Sequence, residues 1–378
     1  MKKFLLLMIV MIVGLHADTI ADADDKPIVE VVFVLDTTGS MSAMLNTAKD
    51  KIWSIATSLA QSTVAPEIRM GLVAYRDRGD TYVTKIVNLS TDLDDVYSKL
   101  LEFRSRGGGD APESVNQALY EAVEDISWSK SSNAYRVIFL VGDQPPHMDY
   151  DNDIPYMVSC ERANEKGIVI NTIQMGGEMR TEDIWRDIVH RVNGEYIRVD
   201  RRASGLQIET PFDADIATFS DMIEAERIYY GSEREQKVSN DRIVKSKVMR
   251  KKLTSSVKAR RSSYNFSESG KKNLYGSKEL VEDIASNKIS LERLDKKRLP
   301  KKMQKMSRKE QKTYIAKKSK KRKELKVKIL ALQEKRKAYI AKKVDKKSIK
   351  GSFSYKIYNT IKKQAKKRNI IYKATVQN

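Results

Sequence analysis

Between residues 28 and 231 short apolar runs alternate with amphipathic stretches, and this alternation restricts what the chain can fold into more than any other feature. The runs fall at 29–35, 70–75, 82–87, 135–141, 168–173 and 195–199. Strands that read as near-continuous apolar segments belong to a parallel sheet covered by helices on both faces. Between the first two runs Leu45, Ala48, Ile52, Ile55 and Leu59 recur at spacings of three and four, which predicts a helix with one face packed on the sheet. Further helices are expected over 92–103, 113–127, 155–166, 182–192 and 213–228, bounded by residues such as Asp92, Gly167, Thr181 and Gly194. The expected fold class is α/β: a doubly wound, Rossmann-like domain over 28–231 with a mostly parallel central sheet.

The net charge of +21 conceals a division. Residues 1–230 carry 23 basic and 37 acidic side chains and residues 231–378 carry 48 and 13, so −14 stands against +35. Such asymmetry implies two physically different units, the second drawn to an acidic or anionic partner. From 232 to 275 branched and aromatic residues thin out, and a basic, flexible, solvated linker is expected. The remainder, 276–378, reads as a Lys-rich, mainly helical region. There Ser307 and Glu310 form a capping-box signature, and no Gly or Pro follows until Gly351, which predicts a long helix over about 307–344.

On that helix Leu325, Ile329, Leu332, Arg336 and Tyr339 form a narrow stripe, suited to a coiled-coil seam or a helical hairpin and interrupted by Arg336. The heptapeptides KTYIAKK (312–318) and KAYIAKK (337–343) lie 25 residues apart and would share a face of one helix. Scattered apolar residues over 353–372 suit a short docking helix.

At the amino end Lys2 and Lys3 precede a twelve-residue apolar run, 4–15, followed by His16, Ala17 and an acidic stretch. This is the layout of a signal peptide over 1–17, with cleavage after Ala17 or Ala21 and at the latest after Ala23. An uncleaved membrane anchor is the competing reading, although a span needs about 20 apolar residues. Export to a bacterial periplasm, cell envelope or extracellular space is expected. The single cysteine, Cys160, leaves no intramolecular disulfide and is expected to be a small buried hydrophobe.

In doubly wound folds ligands bind in the crevice beyond the carboxyl ends of the strands, so the residues that end apolar runs are the first candidates. Asp36 ends the first run, and VEVVFVLDTTGSMS brings Asp36, Thr38 and Ser40 into a tight turn. One carboxylate and two hydroxyls are hard oxygen donors, suited to Mg²⁺, Mn²⁺ or Ca²⁺. Asp143 ends YRVIFLVG, and the acidic loop at 107–110 offers Asp110 to the same crevice.

Asp-x-Thr-x-Ser with a later strand-end Asp resembles the metal-ion-dependent adhesion site of von Willebrand factor type A domains. The segments RGGGDAPESVNQAL, FLVGDQPPHMDYDND, GIVINTIQMGG, TPFDADIATFSDMIE and the closing YYG look like the bacterial and hemicentin-like branch of that family. The resemblance covers roughly 29–231. It implies that Thr38 and Ser40 coordinate a metal directly, that Asp36 acts largely through water, and that Asp143 does either. It also implies a protein ligand captured through the metal. One position departs: better-known adhesion members carry a threonine in the second loop, where this chain has Gly109 and Asp110. With Asp110 as a ligand, three carboxylates surround the ion and weaken it as an acceptor for an acidic partner. Otherwise Asp110 caps the helix at 113, with Glu113 or water beside the ion.

Three further acidic residues, Asp149, Asp151 and Asp153, alternate after Pro146 as a second calcium site or a solvated acidic loop. His147 is placed at the surface in preference to the crevice, and Trp53 and Trp185 are expected to pack. The chain lacks a phosphate-binding loop, a His-Glu-x-x-His helix and a Gly-x-Ser-x-Gly elbow, and a metal-dependent hydrolase is not expected. The leading expectation is a metal-dependent binding or adhesion module of the envelope with a protein ligand. The alternative is a structural envelope or assembly protein with a purely structural metal, whose basic helical region binds anionic surfaces or partners. Export argues against nucleic acid, and self-association or folding of the basic region over its own acidic half stays open.

Overall fold

The computed structural model describes residues 26–109, 111–199, 208–343 and 353–372. The expected signal peptide and Asp110 lie outside the described residues. Six strands form one sheet: β1 (Ile28–Asp36), β2 (Glu67–Tyr75), β3 (Thr84–Ser90), β4 (Ala134–Gly142), β5 (Ile168–Met175) and β6 (Tyr196–Val199). Their order is β3-β2-β1-β4-β5-β6, with only the β2–β3 pair antiparallel. The doubly wound α/β sheet expected from the apolar runs is therefore present.

Side chains alternate across the sheet, so each strand feeds two cores. Val29, Val31, Phe33 and Leu35 of β1 face α1 (Ser42–Leu59) and α2 (Leu93–Glu102). Val32 and Val34 face α3 (Val115–Glu124), α4 (Tyr156–Glu165) and α5 (Met179–Arg191). The predicted stripe of α1, Leu45 to Leu59, is buried, as are Trp53, Trp185 and Cys160. Burial pushes the Cys160 thiol up to about 12, so it behaves as an apolar group.

The first departure from the expected division concerns α6 (Asp213–Ala225), whose Ile216 and Ile223 pack with Ala259, Phe266, Leu325 and Ile329 of the basic half. The second concerns 232–275, which is not a solvated linker. It forms α7 (Glu233–Lys251), α8 (Ser255–Asn265) and α9 (Lys271–Tyr275), followed by α10 (Leu280–Ala285) and α11 (Lys301–Gln304). A Ser232–Glu235 capping box starts α7. Val257 and Tyr264 of α8 join the core under α1, and Tyr264 lies against Trp53. Low apolar content misleads here because these helices are held by ion pairs and hydrogen bonds to the acidic half: Arg242 binds Asp92, and Ser246 donates to Asp94 at 2.6 Å.

The long helix α12 spans Arg308–Lys343 and begins at the Ser307–Glu310 capping box. Its stripe packs within the chain: Leu325 and Ile329 sit on α6 and α8, and the interrupting Arg336 reaches Asp213 at 2.8 Å. Helix α13 (Phe353–Ala365) then lies on the sheet itself. Phe353, Ile357, Tyr358 and Ile361 share one core cluster with Phe33, Phe139 and Ile197. Gln364 accepts from the Tyr135 hydroxyl at 2.6 Å and donates to Asn171 at 2.7 Å, fixing α13 over β4 and β5. The chain beyond 231 thus completes one face of the sheet, and residue 231 does not separate two cores. Among the described residues no helix is long and apolar enough to cross a membrane.

Candidate metal centre

Strand β1 delivers Asp36 to the carboxyl edge of the sheet, where it is 2% exposed. The chain turns sharply after it. Asp36 Oδ1 accepts from the Thr38 backbone N–H at 2.8 Å and from the Thr38 hydroxyl at 2.6 Å, and this closes the turn. Thr38 Oγ1 lies 3.3 Å from Ser40 Oγ, which donates to Asp143 Oδ1 at 3.1 Å. Asp143, fully buried just beyond β4, is steadied from behind by Thr181, whose hydroxyl donates to its backbone carbonyl at 3.2 Å. Asp36, Thr38, Ser40 and Asp143, 107 residues apart in sequence at the extremes, therefore line one notch.

A second loop leans on this turn. Gly39 N–H donates to the Gly107 carbonyl at 3.1 Å, and Arg106 N–H donates to the Thr37 carbonyl at 3.1 Å. Gly108 has φ +76°, and a Cβ there would stand 3.0 Å from Thr38 Cβ and 3.2 Å from Glu113 Oε1. Glycine at this position lets the loop run between Thr38 and Glu113, which puts the Glu113 carboxylate beside the notch.

The electrostatics follow from that crowding. Burial raises the Asp36 carboxyl to about 7; hydrogen bonds from Thr38 oppose the rise and the Asp143 charge adds to it. Glu113 rises to about 9, first from burial and then from Asp36, Asp77, Asp80 and Asp143. Asp36 Oδ2 and Glu113 Oε2 are buried with no hydrogen-bond partner among the described residues. An orphaned carboxylate oxygen in an interior costs free energy unless a proton or a cation compensates it. Both carboxylates, together with the Thr38 and Ser40 hydroxyls, make a hard-oxygen set that fits a divalent cation. Among the described residues no three His, Cys, Asp or Glu side chains form a metal-binding group by themselves, so such a set depends on the hydroxyls.

The other acidic candidates sit elsewhere. Asp149 is exposed and pairs with His147 Nδ1 at 2.8 Å, Asp151 is exposed, and Asp153 faces Arg78 at 3.9 Å. His147 is buried, not at the surface as expected, because its ring stacks on Tyr150 at 4.2 Å. Sequence reasoning missed Asp77 and Asp80, just beyond β2. Asp77 accepts from Ser114 at 2.8 Å and from Tyr150 at 3.0 Å, and Asp80 accepts from Gly108 N–H at 3.2 Å. Their signal was the same strand-end rule that singled out Asp36 and Asp143.

Residues 30–211 match the model of the von Willebrand factor A domain, and this segment of the chain is such a domain. An ariadne-like RING finger protein of Acanthamoeba polyphaga mimivirus is 26% identical over 124 residues, which span 33% of this chain and 12% of that protein. The crystal structure of the SpRpn10 VWA domain covers 46% of this chain and 89% of its own, with 14% identity and a TM-score of 0.36. A domain of this class points to protein–protein interaction or adhesion, consistent with a protein partner.

Proposed function

We propose that the protein is a metal-dependent protein-binding module of the bacterial cell envelope, exported by residues 1–17, and not an enzyme. The observation that carries this reading is the convergence of Asp36, Thr38, Ser40 and Asp143 at one strand edge with Asp36 Oδ2 left unpartnered. Mg²⁺ is the ion proposed, with Mn²⁺ or Ca²⁺ as substitutes. Thr38 and Ser40 hold it through their hydroxyls, Asp36, Asp143 and Glu113 neutralise it, and Asp110 is a candidate for the same role. The bound ion supplies a coordination position for an oxygen ligand of the partner.

The test is capture of partners from envelope extracts by the full mature chain, with and without a chelator. Loss of a captured protein on chelation and in Asp36→Asn, with unchanged circular dichroism, is expected. Retention of every partner in both cases overturns the reading.

A second reading, a structural or assembly protein whose basic helix contacts anionic surfaces, is favoured by one observation. Lys309, Lys317, Lys320, Lys323, Lys328 and Lys335 are exposed on α12 although its stripe is buried. Binding to anionic vesicles that weakens as salt rises supports it, and indifference to salt removes it.

A further inference from the structure

The notch at the strand edge is not the only polar cavity. On the basic half a cleft of about 220 Å³ opens between α1, α8 and α12. Ser54 and Thr57 line it from α1, Arg260 and Ser263 from α8, and Gln333 and Arg336 from α12. Arg260 decides its character. The residue is 5% exposed, its Nη1 donates to Ser256 Oγ at 2.9 Å, and its Nε and Nη2 have no hydrogen-bond partner among the described residues. Neither does any ion pair reach Arg260 among the described residues, in contrast to the neighbouring Arg261, which binds two carboxylates.

A buried guanidinium cannot shed its charge, so its two unpartnered nitrogens represent unmet demand for an anion. The surroundings do not meet that demand. Arg336 is turned to Asp213 at 2.8 Å, and Lys337 and Glu334 sit at the exposed rim. The Asp50 and Asp213 charges act on Arg260, but neither side chain is hydrogen-bonded to its Nε or Nη2. Burial and then the Arg260 charge push the nearby Lys51 ammonium down to about 8, with Arg336 adding to the effect, as expected where positive charge is in excess. Hydroxyl and amide donors on the remaining walls suit an oxyanion and offer little to an apolar ligand.

We propose that this cleft binds a phosphate-class oxyanion, held by the Arg260 guanidinium and by the hydroxyl and amide groups of α1, α8 and α12. The site is independent of the metal notch and of any partner bound there. The volume accommodates the oxyanion together with a small organic group. The carrier is either a free phosphorylated compound or the phosphate of a lipid headgroup.

The test uses the full mature chain, with thermal unfolding and calorimetry against inorganic phosphate and against chloride at equal ionic strength. Phosphate is expected to raise the melting temperature in a saturable way that chloride does not reproduce. Arg260→Gln is expected to weaken phosphate binding by roughly tenfold or more, the scale of one charge-assisted hydrogen-bonded contact. Because Arg260→Gln can disturb folding, Gln333→Glu is the second variant: its carboxylate takes the anion's place, so the phosphate-free protein melts higher and phosphate adds nothing. Lys367→Gln, at an exposed lysine outside the cleft lining, keeps the full response. Glycerol phosphate and phosphatidylglycerol vesicles, each repeated with Gln333→Glu, then separate a free phosphorylated compound from a lipid headgroup. An equal response to chloride, or a full phosphate response in Gln333→Glu, overturns the proposal.

Discussion

The Arg261 guanidinium on α8 lies 2.6 Å from the Asp94 carboxylate on α2, and it also pairs with Glu224 on α6; all three side chains are sealed from solvent. This contact joins the +35 half of the chain to the −14 half inside the protein. Burial pushes the Asp94 carboxyl up, but the Arg261 charge, the hydrogen bonds from Arg261 and Ser246 and the Arg242 charge together outweigh it and hold Asp94 well below the ordinary carboxylate range.

Arg261→Met is therefore expected to destabilise strongly. It strands the buried Asp94 without its ion-pair partner, while Glu224 keeps Arg227 and Arg250, and removing one member of a buried pair costs about 3–5 kcal/mol. The urea midpoint should fall while the metal response of whatever remains folded is unchanged. A shift below about 1 kcal/mol, typical of exposed pairs, would show that the network is solvated.

Truncation after residue 231 is expected to fail. It removes Phe353, Ile357, Tyr358 and Ile361, each 1% exposed or less, from the face of the sheet they share with Phe33 and Phe139. At about 1.5–3 kcal/mol for each buried side chain, the loss rivals the whole stability of an ordinary domain. Soluble expression with sharp amide dispersion in NMR would contradict this. A single Ile357→Ala should cost about 2–5 kcal/mol by the same logic.

In metal-free protein the notch should contribute less to stability as pH rises above about 7. Asp36 and Glu113 have folded values raised to about 7 and about 9, above the ordinary 3.8 and 4.5. At these two groups the folded state binds more protons than the unfolded state, so their contribution to stability is full below about pH 4 and is lost as pH climbs through about 7 to 9. A divalent cation binds the ionised form, and its stabilising increment should therefore grow over the same window. Melting curves with Mg²⁺ or chelator at pH 5.5 and 8.5 read both effects; an increment larger at pH 5.5 refutes the assignment.

Asp36→Asn separates charge from shape. It removes one of the buried carboxylates, so the chelated variant at pH 8 should be at least as stable as the chelated parent while its Mg²⁺ increment disappears. Retention of the full increment would place any ion elsewhere.

The strands were legible in the sequence because burial on both faces leaves an uninterrupted apolar run, and Asp36 and Asp143 stood out because each ends one. Thr38 and Ser40 followed from the turn. Asp77 and Asp80 were not recognised, since β2 ends among charged residues that read equally as a solvated loop. The order of 232–275 is not legible in its apolar content, because Arg250 and Arg261 hold these helices by buried ion pairs and Arg242 by a half-buried one.

What the amino-acid order determined by itself was local: the strand and helix periods, the capping box at Ser307, and the tight turn after Asp36. Only the tertiary structure decided that α13 covers β4 and β5, that Arg336 belongs to Asp213, and that Glu113 stands beside Asp36. The physical reason is range. Hydrophobic periodicity is written in neighbouring residues, but a buried charge or an open sheet face is satisfied by whichever distant segment the folded chain brings to it, and no local pattern names that segment.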